Sequence, residues 1–131
     1  MTHRFPLRVY YEDTDLAGIV YYANYLKFIE RGRSEWVRDL GVDQAALKAE
    51  AGIVFAVRRV VADYLSPARY DDKLIVETVL KALTPARVVL DQRVLRGEAV
   101  LFAAEVTLVA LGPGGRAARL PAEFRRALGA P

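Results

Sequence analysis

After Gly52 the apolar residues of this chain change their period from helical to alternating, and that change limits what it can fold into. Over residues 21–40, Tyr21, Tyr25, Phe28, Ile29, Trp36, Val37 and Leu40 recur at helical spacing, with Lys27, Arg31, Arg38 and Asp39 between them. The period predicts a helix of about five turns with one face in a core. After Gly52 the spacing falls to two. Residues 53–65, 74–83, 87–95 and 99–111 each read as a strand, stopped in turn by Ser66-Pro67, Thr84-Pro85 and Arg96-Gly97-Glu98. Parallel pairs need crossovers of a dozen or more residues, so these short connections predict an antiparallel meander. One long helix is then covered by one curved antiparallel sheet, an α+β architecture with a layer of each.

The remaining elements are short. Leu7, Val9 and Tyr11 alternate with Arg8 and Tyr10, which predicts a first strand running into an acidic loop. Gly32 falls on the apolar stripe of the long helix, where a missing side chain lets the helix lie close to a sheet, and Gly41 ends that helix. Asp43 is placed to cap a second helix over residues 44–50, closed by Gly52, and Pro121 to open a terminal helix that Gly129 ends. With 131 residues, 53% of them hydrophobic, the chain can bury one core, and residues 1–131 read as a single domain. The strand from Ile53 is long and rich in Val. Pairing such an edge with a second copy removes an aggregation-prone feature, so a homodimer is expected.

Composition narrows the chemistry by exclusion. The chain has no Cys, which removes disulfides, thiolate metal sites and a Cys nucleophile, and with them any argument for an oxidising compartment. Its one His, His3, lies in a terminal segment expected to be loosely held, which leaves a Ser-His-Asp triad or a His-based dehydratase without a base. No metal site and no cofactor are expected. The start of the chain lacks an apolar signal core, and no apolar run is long enough to span a bilayer, so a cytoplasmic protein without membrane insertion is expected. Net charge is +3, and 15 of the 19 basic residues are Arg, but they form neither a run nor an aromatic-interleaved stripe, and no nucleic-acid partner is expected. Any reaction must therefore rest on carboxylates, hydroxyls and backbone amides.

Those groups meet at residues 11–25, where Glu12, Asp13 and Asp15 stand at the junction of the first strand and the long helix. A helix start offers unpaired N–H groups and a partial positive charge. A carboxylate held beside it stays ionised while a free amide polarises a carbonyl oxygen, so Asp15 and an amide near Tyr22 can work as a pair. On the residues alone the other reading is open as well: Asp13, Thr14 or Asp15 simply caps the helix.

The same residues carry a family likeness. Tyr10-Tyr11-Glu12-Asp13-Thr14-Asp15, then Gly18-Ile19-Val20-Tyr21, Asn24-Tyr25, Phe28, Glu30, Arg33 and Glu35, resemble the hotdog-fold acyl-CoA thioesterases of the 4-hydroxybenzoyl-CoA thioesterase-like group. The likeness is nearest to that group's bacterial Tol-Pal-associated branch. It continues through Tyr64, Pro67-Ala68-Arg69 and Asp71-Asp72 and covers nearly the whole chain. It implies a central helix wrapped by a five- or six-stranded sheet, with dimers often paired again as tetramers. It also implies hydrolysis of an acyl-CoA, with Asp15 as the catalytic carboxylate and the backbone N–H of Tyr22 as the donor to the thioester carbonyl. Acyl carrier protein is a second donor that the likeness allows. Tyr22 stands where the Tol-Pal branch commonly has His, whereas the 4-hydroxybenzoyl branch has an aromatic residue there; either supplies a backbone amide.

Other residues have both functional and structural readings. Tyr11 matches a tyrosine near the catalytic Asp of the family and is a candidate substrate contact. Glu30 is spaced to pair with Arg33 and Ser34. Among Arg58, Arg59, Arg69, Lys81 and Arg87, candidates for coenzyme A phosphates, Arg87 ranks first because it adjoins a turn. The alternative function is a hotdog module that binds acyl-CoA or acyl carrier protein without hydrolysing it.

Overall fold

The helical period is realised as α1, Asn24–Asp39, in a computed structural model that describes residues 2–129. Tyr25, Phe28, Ile29, Gly32, Trp36 and Val37 form its buried stripe, as the spacing predicts. The helix starts at Asn24 and not near Tyr21 because the preceding residues are engaged elsewhere. The Tyr21 N–H donates to the Asp13 carbonyl at 3.0 Å, and the Tyr21 carbonyl closes a turn by accepting from the Asn24 N–H at 2.8 Å.

The strands are β1 (Thr2–Arg8), β2 (Val54–Tyr64), β3 (Lys73–Leu83), β4 (Arg87–Arg96), β5 (Ala99–Leu111) and the short β6 (Ala117–Ala118), which has no signature in the apolar pattern. All pair antiparallel in the order β1-β3-β4-β5-β2, with β6 beside β5. From β3 to β5 the sheet is the expected meander. β2 departs from it: both sides of β3 are occupied, by β1 and β4, so β2 takes the free side of β5, pairing from Val54 opposite Leu111 to Tyr64 opposite Phe102. β2 is therefore an edge strand, with Val54, Val57, Val60, Val61 and Tyr64 all substantially exposed.

α1 packs across β1, β3 and β4. Gly32 permits that approach, since a Cβ there would lie 2.5 Å from Val76 Cγ1. One polar contact is buried in the same layer. Gln92, fully buried on β4, donates through Nε2 to the Ile29 carbonyl and to Thr78 Oγ1, each at 2.9 Å, and accepts at Oε1 from the Arg33 guanidinium at 3.0 Å. Both donors and one of the two acceptor sites of that amide side chain are directed at the helix and its neighbouring strand.

Residues near the chain ends follow local chemistry. α2 (Gln44–Ala51) is capped by Asp43, whose carboxylate accepts from the Ala46 N–H at 3.0 Å, and ends at Gly52 with φ 67°. α3 (Ala122–Ala127) stacks Phe124 on Phe55, ring centres 4.5 Å apart. β1 stops at Arg8, short of the expected Tyr11. Asp13 accepts the Tyr10 N–H at 2.7 Å and returns its own N–H to the Tyr10 carbonyl at 3.0 Å, winding Tyr11–Asp13 into a 3₁₀ turn. His3 is not loosely held. It sits within β1 opposite Thr78, with Nε2 2.8 Å from an Asp39 carboxylate oxygen at the far end of α1.

Candidate active site

Residues 13–21 form a tight hairpin. Thr14 bridges Val20, the Asp15 N–H donates to the Ile19 carbonyl at 2.9 Å, and the Tyr21 N–H donates to the Asp13 carbonyl. Its tip folds back because Asp15 Oδ1 accepts the Ala17 N–H at 2.9 Å while Gly18 adopts φ 80°, a conformation suited to glycine. The Asp15 side chain is exposed, and Oδ2 has no hydrogen-bond partner among the described residues. Beside it, Leu16 is fully exposed.

The hairpin delivers the chain to α1 with an open helix start. Ala23 occupies the N-cap and makes no side-chain capping bond, and no acidic residue stands in the first turn. Asp13, Thr14 and Asp15 all bond elsewhere: Asp13 to the Tyr10 N–H, the Thr14 hydroxyl to the Tyr11 carbonyl at 3.0 Å, and Asp15 to Ala17. None of them caps α1. Immediately before the helix, the Tyr22 N–H has no acceptor among the described residues. The Tyr22 ring is mostly exposed and lies among aromatic rings, 4.9 Å from Tyr21 and 6.1 Å from Tyr64 between centres. An unsatisfied amide at the positive end of a helix, next to a hairpin that holds a free carboxylate oxygen, can accommodate a carbonyl oxygen that gains negative charge.

A second segment fastens both parts. The Val20 N–H donates to the Ala68 carbonyl at 2.8 Å, Ile19 bridges Arg69, and the Ala68 N–H donates to the buried Tyr25 hydroxyl oxygen at 2.9 Å. Burial pushes the Tyr25 phenol up, more than the Ala68 N–H and the Arg96 charge pull it down. The Tyr64 hydroxyl donates to the Tyr22 carbonyl at 3.0 Å. Further along, Asp72 accepts from the Arg69 N–H at 2.8 Å and from Arg96 at 2.9 Å. Burial alone would raise the Asp72 carboxyl, but these donors and the two Arg charges outweigh it and hold the group below the usual range.

The other expected contacts are scattered. Tyr11 is mostly exposed on the 3₁₀ turn and packs edge-on against Tyr70, 5.9 Å away, in a groove with Arg8, Tyr10, Glu12 and Asp71. Arg87 begins β4, whose other end, Arg96, reaches the site through Asp72. Arg87 stands at the opposite end of this 10-residue strand, up to about 30 Å along it, and its backbone N–H bonds the Thr84 hydroxyl in the preceding turn. Lys81 is engaged with Glu105 at 2.5 Å, whereas Arg69 adjoins the hairpin. Glu30 does not pair with Arg33, which turns inward to Gln92 instead; burial lowers the Arg33 pKa, against the field of Glu30. Both residues line a cavity of about 260 Å³ that also touches Ser34, Phe55, Val57 and Phe124. Among the described residues, no group of three or more His, Asp or Glu is arranged to hold a metal ion.

Tyr64 and Ala68 are the site neighbours that residue patterns alone miss. The period-two run and the Ser66-Pro67 stop mark the end of β2 but say nothing of a partner 42 residues away, just before α1. Only the family likeness draws attention to those positions.

The acyl-CoA thioester hydrolase YbgC of Escherichia coli is 42% identical over 111 residues, covering 84% of this chain and 82% of that protein. A probable thioesterase from Bartonella henselae superposes with a TM-score of 0.89 at 38% identity, over 92% of this chain and all of the other. A variant of 4-hydroxybenzoyl-CoA thioesterase, complexed with 4-hydroxybenzoyl-CoA, superposes with a TM-score of 0.90 over 98% of this chain and 99% of its own; at 24% identity it shows the fold alone. Residues 9–128 match the thioesterase-like superfamily, and the chain belongs to that superfamily, with its hotdog arrangement of one central helix and a wrapped antiparallel sheet.

Proposed function

We propose that the protein hydrolyses acyl-CoA thioesters to a free acid and coenzyme A, with Asp15 as nucleophile or general base and the Tyr22 N–H as oxyanion donor. The observation that carries this reading is the uncapped start of α1: an unsatisfied Tyr22 N–H follows a hairpin that presents Asp15 with one carboxylate oxygen free. The names of relatives at about 42% identity support the substrate class.

Two routes fit these groups. In the first, Asp15 attacks the thioester carbon; the C–S bond breaks, coenzyme A leaves as a thiolate that takes a proton from water, and water then hydrolyses the mixed anhydride. In the second, Asp15 takes a proton from water as the water attacks, and that proton passes to the departing sulfur. Both routes place negative charge on the carbonyl oxygen, where a helix-start amide stabilises it. Neither requires His or Cys. Under this reading Tyr11 is a substrate contact near Asp15, and acyl carrier protein is a second donor. Arg87 contacts a coenzyme A phosphate across a subunit boundary, in a homodimer or a homotetramer. A cytoplasmic setting goes with that substrate class; no helix among the described residues is long and apolar enough to cross a membrane.

The test is a panel of short-, medium- and long-chain and aromatic acyl-CoA substrates, with release of free thiol as the readout. Thiol release by the wild-type protein that is lost in Asp15→Ala is the expected result. A protein that binds acyl-CoA but releases no thiol from any member of the panel is a binding module and overturns the reading.

A further inference from the structure

Both halves of the proposed site are fastened to one stretch of chain, residues 64–69. Ala68 holds the hairpin at Val20 and the helix at Tyr25, and Tyr64 reaches the peptide group next to the proposed oxyanion donor. We propose that Tyr64 is a positioning residue for the reaction: its hydroxyl holds the Tyr22–Ala23 peptide while the Asn24 N–H holds the Tyr21–Tyr22 peptide through the Tyr21 carbonyl at 2.8 Å, so that Tyr64 completes a clamp on both sides of the Tyr22 Cα from which the donor N–H projects. The inference rests on the thioesterase reading.

Three observations carry it. First, α1 gives that carbonyl no fixed partner of its own, because the Leu26 N–H bonds one residue later, to the Ala23 carbonyl at 3.2 Å. With no side-chain cap at Ala23, Tyr64 is the side chain that restrains the Tyr22–Ala23 peptide. Second, Tyr64 is a rigid anchor. It is the last residue of β2, opposite Phe102, and its ring packs edge-on between Phe102 at 5.0 Å and Tyr25 at 5.6 Å. Third, its hydroxyl remains a donor at neutral pH, since burial and then the fields of Tyr22 and Tyr25 raise its pKa. An oxyanion donor acts by being aimed before the reaction, so a bond that restricts rotation beside it matters more in the transition state than in the ground state.

The test is Tyr64→Phe, which keeps the ring and its packing and removes the one donor. With hexanoyl-CoA and benzoyl-CoA as probes, kcat is expected to fall about tenfold, the scale of one hydrogen bond, while KM changes less than about twofold. Replacing Tyr64 by 4-aminophenylalanine, which retains a donor at the ring end, is expected to restore most of kcat. A direct readout uses Asp15→Asn to hold the substrate unhydrolysed: the carbonyl stretch of bound ¹³C-labelled acyl-CoA is shifted down, and adding Tyr64→Phe reduces that shift. Should Tyr64→Phe melt early, the 4-aminophenylalanine protein and its infrared band still decide the matter. A kcat within about twofold of wild type, or an unchanged carbonyl band, overturns the positioning role and leaves Asp15 hydrolysis standing. No thiol release by the wild-type protein overturns the thioesterase reading and this role with it, so the two failures are distinct.

Discussion

Asp13 and Asp15 flank Thr14, yet their carboxylates meet different surroundings. Asp13 is buried and spends an oxygen on the Tyr10 N–H, so it belongs to the turn, whereas Asp15 is exposed and keeps Oδ2 free. Asp15→Ala is therefore expected to lower turnover by about 10² to 10⁴ with little change in the melting temperature, since it removes the attacking or activating group and only one exposed hydrogen bond. Thiol-release kinetics beside a thermal melt check both halves, and near-wild-type turnover sinks the assignment. At Tyr22 the backbone and side chain can be separated. Tyr22→Phe keeps the amide and is expected to retain most activity; Tyr22→Pro removes it, at a cost of about 3 kcal/mol in transition-state stabilisation. Circular dichroism is needed to confirm that the Pro variant is folded. If Tyr22→Phe abolishes turnover in a folded protein, the phenol itself takes part.

At the scale of elements, α1 is seated on the sheet by an absence. A methyl group at position 32 would meet Val76 Cγ1 at 2.5 Å, with Gln92 Nε2 behind it at 3.5 Å, so Gly32→Ala is expected to destabilise the fold by about 1–3 kcal/mol despite the better helix propensity of Ala. Chemical denaturation measures this, and Val76→Ala should recover part of the loss if the clash is its cause. The loop after β2 depends instead on charge. The folded Asp72 carboxyl lies below its ordinary value, so its stabilisation is present above the unfolded pKa and disappears as pH falls through the folded one. Wild type and Asp72→Asn should differ in melting temperature near neutral pH and converge in strong acid. How far these elements can be read from sequence depends on the range of the interaction that sets them. The buried face of α1 follows from spacing alone, and the Asp43 cap from its neighbours, because both are local. The start of α1 is missed by three residues because Tyr21, although in phase with the stripe, is paired with Asp13 across a hairpin. Arg33 leaves its helix neighbour Glu30 for Gln92, 59 residues away, which no spacing rule registers.

Sheet order is the long-range property least visible in the chain, and it governs the whole molecule. Short loops correctly join β3, β4 and β5, but the same reasoning puts β2 beside β3, whereas β1 already holds that position and β2 becomes the outer edge beyond β5. That placement gives the Val-rich run its consequence. α1 lies over β1, β3 and β4, which leaves Val57, Val60 and Tyr64 on the outer strand about 37–49% exposed. An 11-residue edge with such side chains is a template for another strand, and pairing with the same edge of a second copy closes it under twofold symmetry. The pairing would also set two Tyr64–Tyr22 contacts near one interface and offer a route by which Arg87, at the end of β4 away from Arg96 and Asp72, could reach a bound acyl-CoA. Sedimentation equilibrium is therefore expected to give a mass of twice the 14.6 kDa chain, or a higher even multiple. Val57→Lys with Val60→Lys, two like charges on that edge, should yield a folded monomer with much reduced turnover, whereas Arg87→Ala should stay assembled and raise KM with little effect on kcat. A wild-type protein that is monomeric at micromolar concentration and fully active would place the complete site within one chain and remove Arg87 from it.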